Sequence, residues 1–341
     1  MKTITRDYRM EGNLPSSYMR YFDGMRCCVL DIETSGLSRE NSKVILIGLL
    51  TETDSGVKVT QFLAENHYEE HKVLRATMDF LQRENIGYLV TYNGASFDLP
   101  FIAKRLEAHF FEDSIKLYDL DLFRFIKCGT DLRQRLDSLS QKSVENYYGI
   151  LGDRDDSITG RESVTMFDEY SLTGNSTLEK IILTHNREDV LHLYRLMHYV
   201  LTDIDRDGNM DNALARYGYP ILDGRLAVRP SICCKGRGSN KQYILKINGD
   251  QIKDAFSAAF FPDMDSPITA EFNSETGMFQ IELPIEKAPE NLSDADNTCY
   301  VDTVSLELDL SCDPDCINDY LILNPRSINL IAELITKRFV M

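Results

Sequence analysis

Two acidic side chains stand two residues apart in the segment Val29-Leu30-Asp31-Ile32-Glu33-Thr34-Ser35-Gly36. The run is apolar enough to be a strand, and the strand period of two sends Asp31 and Glu33 out by one face. If that face is the core, two ionised carboxylates are buried together at a cost of several kcal/mol unless cations neutralise them, which makes a metal site the economical reading. A second segment, Thr91-Tyr92-Asn93-Gly94-Ala95-Ser96-Phe97-Asp98, reads as a buried strand ending in a glycine-containing turn, with Asp98 opening a helix. In a third, His185-Asn186-Arg187-Glu188-Asp189, residues 185 and 189 are four apart and share one helix face. Four carboxylates suit two divalent ions about 4 Å apart, which activate water and stabilise the leaving oxygen of a phosphodiester. Oxygen ligands favour Mg2+ or Mn2+ over zinc. His185 is placed to orient or deprotonate the attacking water, since neutral imidazole accepts a proton near neutral pH.

The elements that must bring these segments together are legible as periodicities. Residues 27–32, 43–50 and 57–63 read as three consecutive strands, an antiparallel meander, followed by a helix over 68–83 and a strand over 88–92 with no polar face. Helical spacing recurs over 97–109, 120–127, 138–148 and, longest, 178–201. The result is an α/β domain over residues 26–201, a mixed sheet flanked by helices. Residues 1–25 show no period and read as a mobile or lightly packed arm. Residues 202–219 read as an acidic linker. Period-two stretches dominate 220–341, which reads as a mainly antiparallel β domain, α+β in class, closed by an amphipathic helix from Ser327 to Phe339.

In this order and spacing, Asp31-Ile32-Glu33-Thr34-Ser35-Gly36, Tyr92-Asn93-Gly94-Ala95-Ser96-Phe97-Asp98 and His185-Asn186-Arg187-Glu188-Asp189-Val190-Leu191 resemble the three motifs of the DEDD superfamily of RNase H-like 3′-to-5′ exonucleases. The segment is similar to a bacterial RNase H-like subfamily of predicted exonucleases, which resembles the proofreading domain of B-family DNA polymerases. The resemblance implies an RNase H-like mixed sheet, with Asp31, Glu33, Asp98 and Asp189 as ligands of two Mg2+ or Mn2+ ions and His185 as the catalytic auxiliary. It also implies that Thr34, Leu37, Asn93 and Phe97 line the pocket for the 3′-terminal nucleotide. With three residues between it and Asp189, His185 stands at the spacing of the superfamily's tyrosine branch rather than its histidine branch.

The expected partner is single-stranded DNA or RNA, because such a pocket must admit an unstacked terminal base. Nothing in the motifs chooses between the two sugars. An RNase H-like endonuclease and a non-catalytic nucleic-acid-binding module on the same fold are the rival readings. The balance of 37 basic against 54 acidic residues, a formal charge of −17, argues against a protein whose whole surface grips nucleic acid. Basic residues concentrate where acids are absent, at Arg225, Arg229, Lys235, Arg237, Lys241 and Lys246, so Arg225, Arg229, Lys235, Arg237 and Lys241 are candidate phosphate contacts. Asp203, Asp205 and Asp207 with Gly208 match the start of a calcium loop, but Leu214 fills the position of the bidentate Glu, which favours a solvated linker over a Ca2+ site. Eight cysteines in 341 residues read as reduced thiols rather than a disulfide framework. No run approaches a membrane span and the first residues lack a signal peptide's apolar core, so the sequence reads as that of a cytoplasmic protein with no membrane association.

Overall fold

In the computed structural model, residues 1–10, 12–154, 160–236, 241–253, 267–287 and 299–340 are described. The chain divides into two compact units, Met1–Asp207 and Gly208–Met341. In chain order the first contains β1 (Lys2–Tyr8), α1 (Ser16–Phe22), β2 (Arg26–Thr34), β3 (Val44–Thr53), β4 (Gly56–Leu63), α2 (Glu70–Arg83), β5 (Ile86–Thr91), α3 (Asp98–Ala108), β6 (Tyr118–Asp121), α4 (Leu122–Gly129), α5 (Leu132–Arg135), α6 (Gln141–Tyr147), α7 (Gly160–Thr173) and α8 (Ser176–Arg206). The strands form one sheet in the order β1-β4-β3-β2-β5-β6. Pairing is antiparallel from β1 to β2 and parallel from β2 through β5 to β6. The meander and the mixed α/β sheet are therefore as the periodicity indicates.

Strand β2 lies inside the sheet, with neighbours on both edges, and this explains its apolar sequence. Leu30 and Ile32 join Ile45, Ile47 and Leu49 of β3, Val73 and Leu74 of α2, and Phe101 and Ile102 of α3 in the core. The opposite pleat carries Asp31 and Glu33, which pair in register with Gly48 and Leu46. Helix α8 crosses the sheet on β2, β3 and β4. A register shift between Glu33 and Thr34 ends the regular ladder just past the second carboxylate, as bulges beside functional sites do.

Two stretches differ from expectation. Residues 1–25 are not a loose arm: β1 pairs with β4 along its whole length, and Tyr18 and Phe22 of α1 are fully buried. Tyr18 stacks on Phe22, which in turn meets Tyr88. An edge strand whose residues are mostly exposed, and a seven-residue helix anchored by two rings, leave no extended hydrophobic period to read. Residues 202–206 likewise continue α8, and Met210–Tyr217 forms helix α9. Asp203 and Asp205 thus point about 200° apart around a helix instead of converging in a calcium loop. Asp203 pairs with Arg206 at 2.7 Å and Asp205 accepts from the Ser17 hydroxyl.

The second unit continues with β7 (Tyr219–Ile221), β8 (Leu226–Lys235), β9 (Gln242–Gln251), β10 (Thr269–Asn273), β11 (Met278–Lys287), β12 (Cys299–Asp302), β13 (Cys316–Ile317), β14 (Tyr320–Ile322) and helix α10 (Pro325–Val340). Its strands form an antiparallel sheet in the order β13-β14-β12-β11-β9-β8-β7, with β10 on β11. Among the described residues no helix is long and apolar enough to cross a membrane. All eight cysteines are free thiols.

A buried ion pair fixes the loop that follows β2. Glu70 at the start of α2 receives two bonds of 2.8 Å from Arg105 of α3, one of 2.8 Å from the Val44 backbone N–H, and lies 2.7 Å from His109 Nε2. Arg105 then donates to the Glu40 carbonyl at 3.1 Å, so loop 35–43 is tied to the helical layer beneath it. Removing one member of such a pair strands the other charge. Glu70→Ala is expected to lower unfolding free energy in urea by about 3–5 kcal/mol, and a loss below about 1 kcal/mol would show that the pair is not needed.

Candidate functional site

Asp31 of β2 reaches the opposite layer through one amide. Asn186 of α8 donates to Asp31 Oδ2 at 2.9 Å, and its own Oδ1 accepts from Gln61 Nε2 at 2.8 Å. Gln61 also donates to the Leu183 carbonyl at 2.9 Å, which pins α8 to β4. The close approach requires Gly48: a Cβ there would lie 2.2 Å from Asn186 Oδ1. With α8 so placed, His185 and Asp189 stand over Glu33. His185 Nε2 is 3.5 Å from Glu33 Oε1 and 3.6 Å from Asp189 Oδ2.

Asp98 arrives from the turn after β5. Asn93 takes the left-handed conformation, with φ 63°, and its N–H donates to Asp121 Oδ1 at 2.9 Å; Ala95 N–H donates to the other oxygen at 3.3 Å. Gly94 is obligatory for space, since a Cβ would meet Thr91 Oγ1 at 2.3 Å. The fully buried Asp121 also caps α4 through Arg124 N–H. The turn delivers Asp98 to β2, where its Oδ1 accepts from Ile32 N–H at 3.2 Å.

Asp31, Glu33, Asp98, His185 and Asp189 line one cavity of about 500 Å³, together with Asn93, Phe97 and Arg154. Of the other residues expected there, Thr34 is buried with its hydroxyl donated to the Gly36 carbonyl at 2.8 Å. Leu37 stands 84% exposed on the following loop and is not part of the lining. In the second unit, Arg229 is paired with Asp250 of the adjacent β9, and Lys235 lies 2.6 Å from Glu282 of β11, so two of the candidate phosphate contacts carry a carboxylate partner. Arg225 donates to the Leu222 carbonyl at 3.2 Å, and Lys241 lines a separate cavity of about 530 Å³. Arg237 lies outside the described residues.

The electrostatics follow from burial. Asp31 is pushed well above the ordinary carboxylate range by burial first and then by the charges of Asp189, Asp98 and Glu33, with the Asn186 bond opposing. Burial raises Glu33 to about 7 against the pull of His185, and raises Asp98 to about 7 against its bond from Ile32 N–H. Such a set holds its full charge only with cations among its members. One ligand atom each of Glu33, His185 and Asp189 lies within 4.8 Å of the others, close enough to share an ion. The donors fit hard divalent ions, with oxygens predominating.

Arg154 and Glu145 join the site although no motif announced them. Arg154, 4% exposed, places Nη1 2.7 Å from Asp189 Oδ1 and grips the fully buried Glu145 with two bonds of 2.7 Å. Gln141 donates to Glu145 at 2.9 Å and to the Asp189 carbonyl at 3.2 Å. The guanidinium thus fixes one oxygen of Asp189 and leaves the other turned toward His185 and Glu33. The available signal was Glu145, an acid on the same helical stripe as Gln141 and Tyr148. For Arg154 there was none, because its partners are distant in sequence.

Two expectations follow. Unfolded carboxylates ionise near pH 4, whereas Glu33 and Asp98 keep their protons to about 7. Between those values the native state binds more protons than the unfolded one, so the chelated protein loses stability as pH rises from 5 to 8. Calorimetry with and without Mn2+ should show a larger rise in Tm at pH 8 than at pH 5, and an equal rise at both would contradict the assignment. Arg154→Met leaves Glu145 buried and unpaired, and is expected to cost about 3–5 kcal/mol in denaturant. Adding Glu145→Gln should recover more than half of that loss; no recovery would mean that Arg154 acts through something other than the pair.

No curated protein is a significant match to the chain. Among solved structures, the family B DNA polymerase from the hyperthermophilic archaeon Pyrobaculum calidifontis is similar over 64% of this chain, with 17% identity and a TM-score of 0.41. The match spans about a third, 32%, of that polymerase's length. A family model described as the RNase H superfamily matches residues 28–201, the stretch that contains every residue of the carboxylate cavity and just over half of the chain. The chain belongs to the RNase H superfamily.

Proposed function

We propose that the protein is a metal-dependent 3′-to-5′ exonuclease that hydrolyses the terminal phosphodiester of single-stranded DNA or RNA and releases nucleoside monophosphates. The observation that carries this reading is the convergence of Asp31, Glu33, Asp98 and Asp189 with His185 on one cavity. Asp31, Glu33, Asp98 and Asp189 would hold two Mg2+ or Mn2+ ions, which supply charge neutralisation at the phosphate and a lowered pKa for attacking water. The chain's own groups do the positioning. Asn186 fixes Asp31, Ile32 N–H fixes Asp98, and Arg154 fixes Asp189. His185, between Glu33 and Asp189, is oriented to accept the proton of the attacking water, and the two acids stabilise the imidazolium that forms. Asn93 and Phe97 on the cavity wall offer an amide and an aromatic face to an unstacked terminal base.

Release of nucleotide from a 3′-labelled single strand in Mn2+ is expected to fall at least about 10³-fold in Asp31→Ala, the scale of losing a charge-stabilising group. Equal release by both proteins would remove the assignment. A circular single strand should survive; its cleavage would favour an endonuclease on the same fold.

A further inference from the structure

Helices α4 to α6 carry a surface that the chemistry above does not use. Between residues 122 and 152 the chain exposes five cations, Arg124, Lys127, Arg133, Arg135 and Lys142, against two exposed acids, Asp131 and Asp137; Arg135 pairs with Asp131 at 2.7 Å and Arg124 lies 3.5 Å from the buried Asp121. This is a local reversal of sign in a chain of net charge −17. The third acid of the stretch, Glu145, is buried beneath Arg154.

The same surface presents aromatic rings. Tyr147 at the end of α6 is 40% exposed and Tyr199 of α8 is 47% exposed. Between them Tyr148 meets Tyr147 edge-on at 5.0 Å and lies against Tyr199 at 5.7 Å with the planes 33° apart. Arg135 Nη1 donates to the Tyr147 hydroxyl at 3.1 Å, which braces that ring from α5.

The surface is continuous with the cavity. Ser140, Gln141 and Lys142 at the start of α6 form part of its lining, and Gln141 bonds the Asp189 carbonyl. From Gln141 to Tyr147 the helix rises about 9 Å, the length of roughly three stacked nucleotides. Cations beside exposed rings form the kind of surface that tracks a single strand, phosphates on the charges and bases on the rings.

We infer that α4–α6 with Tyr199 form a track for single-stranded nucleic acid, engaging the nucleotides upstream of the 3′ end that occupies the cavity. The track rests on the exonuclease reading for its polarity, but not for its existence. Its occupant is a single strand rather than a protein, because the rings are interleaved with cations and the charge is complementary to phosphate. Duplex is disfavoured, since paired bases offer no free faces to the tyrosines.

Binding is read without hydrolysis. Fluorescence anisotropy of 5′-labelled oligothymidylate and oligouridylate, three and twelve nucleotides long, is followed in chelator over a range of salt. The parent protein is expected to bind the twelve-mer more tightly than the three-mer. Tyr147→Ala and Tyr199→Ala should each weaken the twelve-mer about fivefold or more. Arg133→Ala with Lys142→Ala should flatten the salt dependence by about 0.7 per cation removed. All four side chains are exposed or at the rim, so an unchanged melting temperature identifies the loss as one of contact. No affinity for the twelve-mer in the parent, or variants that bind it as the parent does with the same salt slope, would overturn the track. Failure of the parent to release nucleotides in Mn2+ would instead remove the exonuclease reading.

Discussion

Mutual repulsion among acids in a partly closed cavity is the constraint around which the first unit is built. Burial raises the proton affinity of Asp31, Glu33 and Asp98, and the charges of neighbouring acids add to it. A fold holds such a set only if each member is separately restrained. Here Asp31 is held by a side-chain amide, Asp98 by a backbone N–H, and Asp189 by a guanidinium, while Glu33 faces an imidazole. The amide, the backbone N–H and the guanidinium are donors, so they offset part of the charge while leaving an oxygen of Asp31, Asp98 and Asp189 for a cation.

The restraints have supports of their own. Asn186 is fixed by Gln61 and depends on the missing side chain of Gly48. Arg154 is fixed by Glu145, and Glu145 by Gln141. His192 lies fully buried between Glu145 and Glu188, at 3.6 and 3.7 Å, and burial keeps its proton affinity low. Polar groups therefore continue from the cavity into the packing of α6 on α8, so the site is part of the unit's interior and not an addition to its surface. A low-dielectric setting of this kind strengthens satisfied interactions and penalises unsatisfied ones alike.

Charge is distributed against the average of the chain. The acidic excess is spread widely, yet cations gather on α4–α6 beside the cavity. In the basic run of the second unit, Arg229 and Lys235 are matched by acids on other strands of the same sheet, Asp250 and Glu282. A stretch without acids in sequence is thus no guarantee of a positive surface once a sheet has formed, whereas on α4–α6 the exposed cations outnumber the exposed acids even with Arg135 paired to Asp131. Proximity in space, not density in sequence, sets the local potential.

By itself the sequence determined the meander, the alternation of strands and helices after it, and the residue types that meet at the cavity. These were legible because hydrophobic period is a local property and because Asp31 with Glu33, or His185 with Asp189, share a face through one element's geometry. The packing of residues 1–25 was not legible, since a mostly exposed edge strand and two buried rings show no period until their partner surfaces exist. Nor were Gly48, Gln61, Arg154 and Glu145, whose roles arise from neighbours distant in sequence, 125 residues away for the bond between Gln61 and Asn186. Asp203 and Asp205 show the converse, a loop-like motif absorbed into a helix because α8 continues to Arg206. Local spacing chose the groups that can act, and long-range packing decided which of their atoms face one another, because only the assembled sheet and α8 bring those atoms within bonding distance.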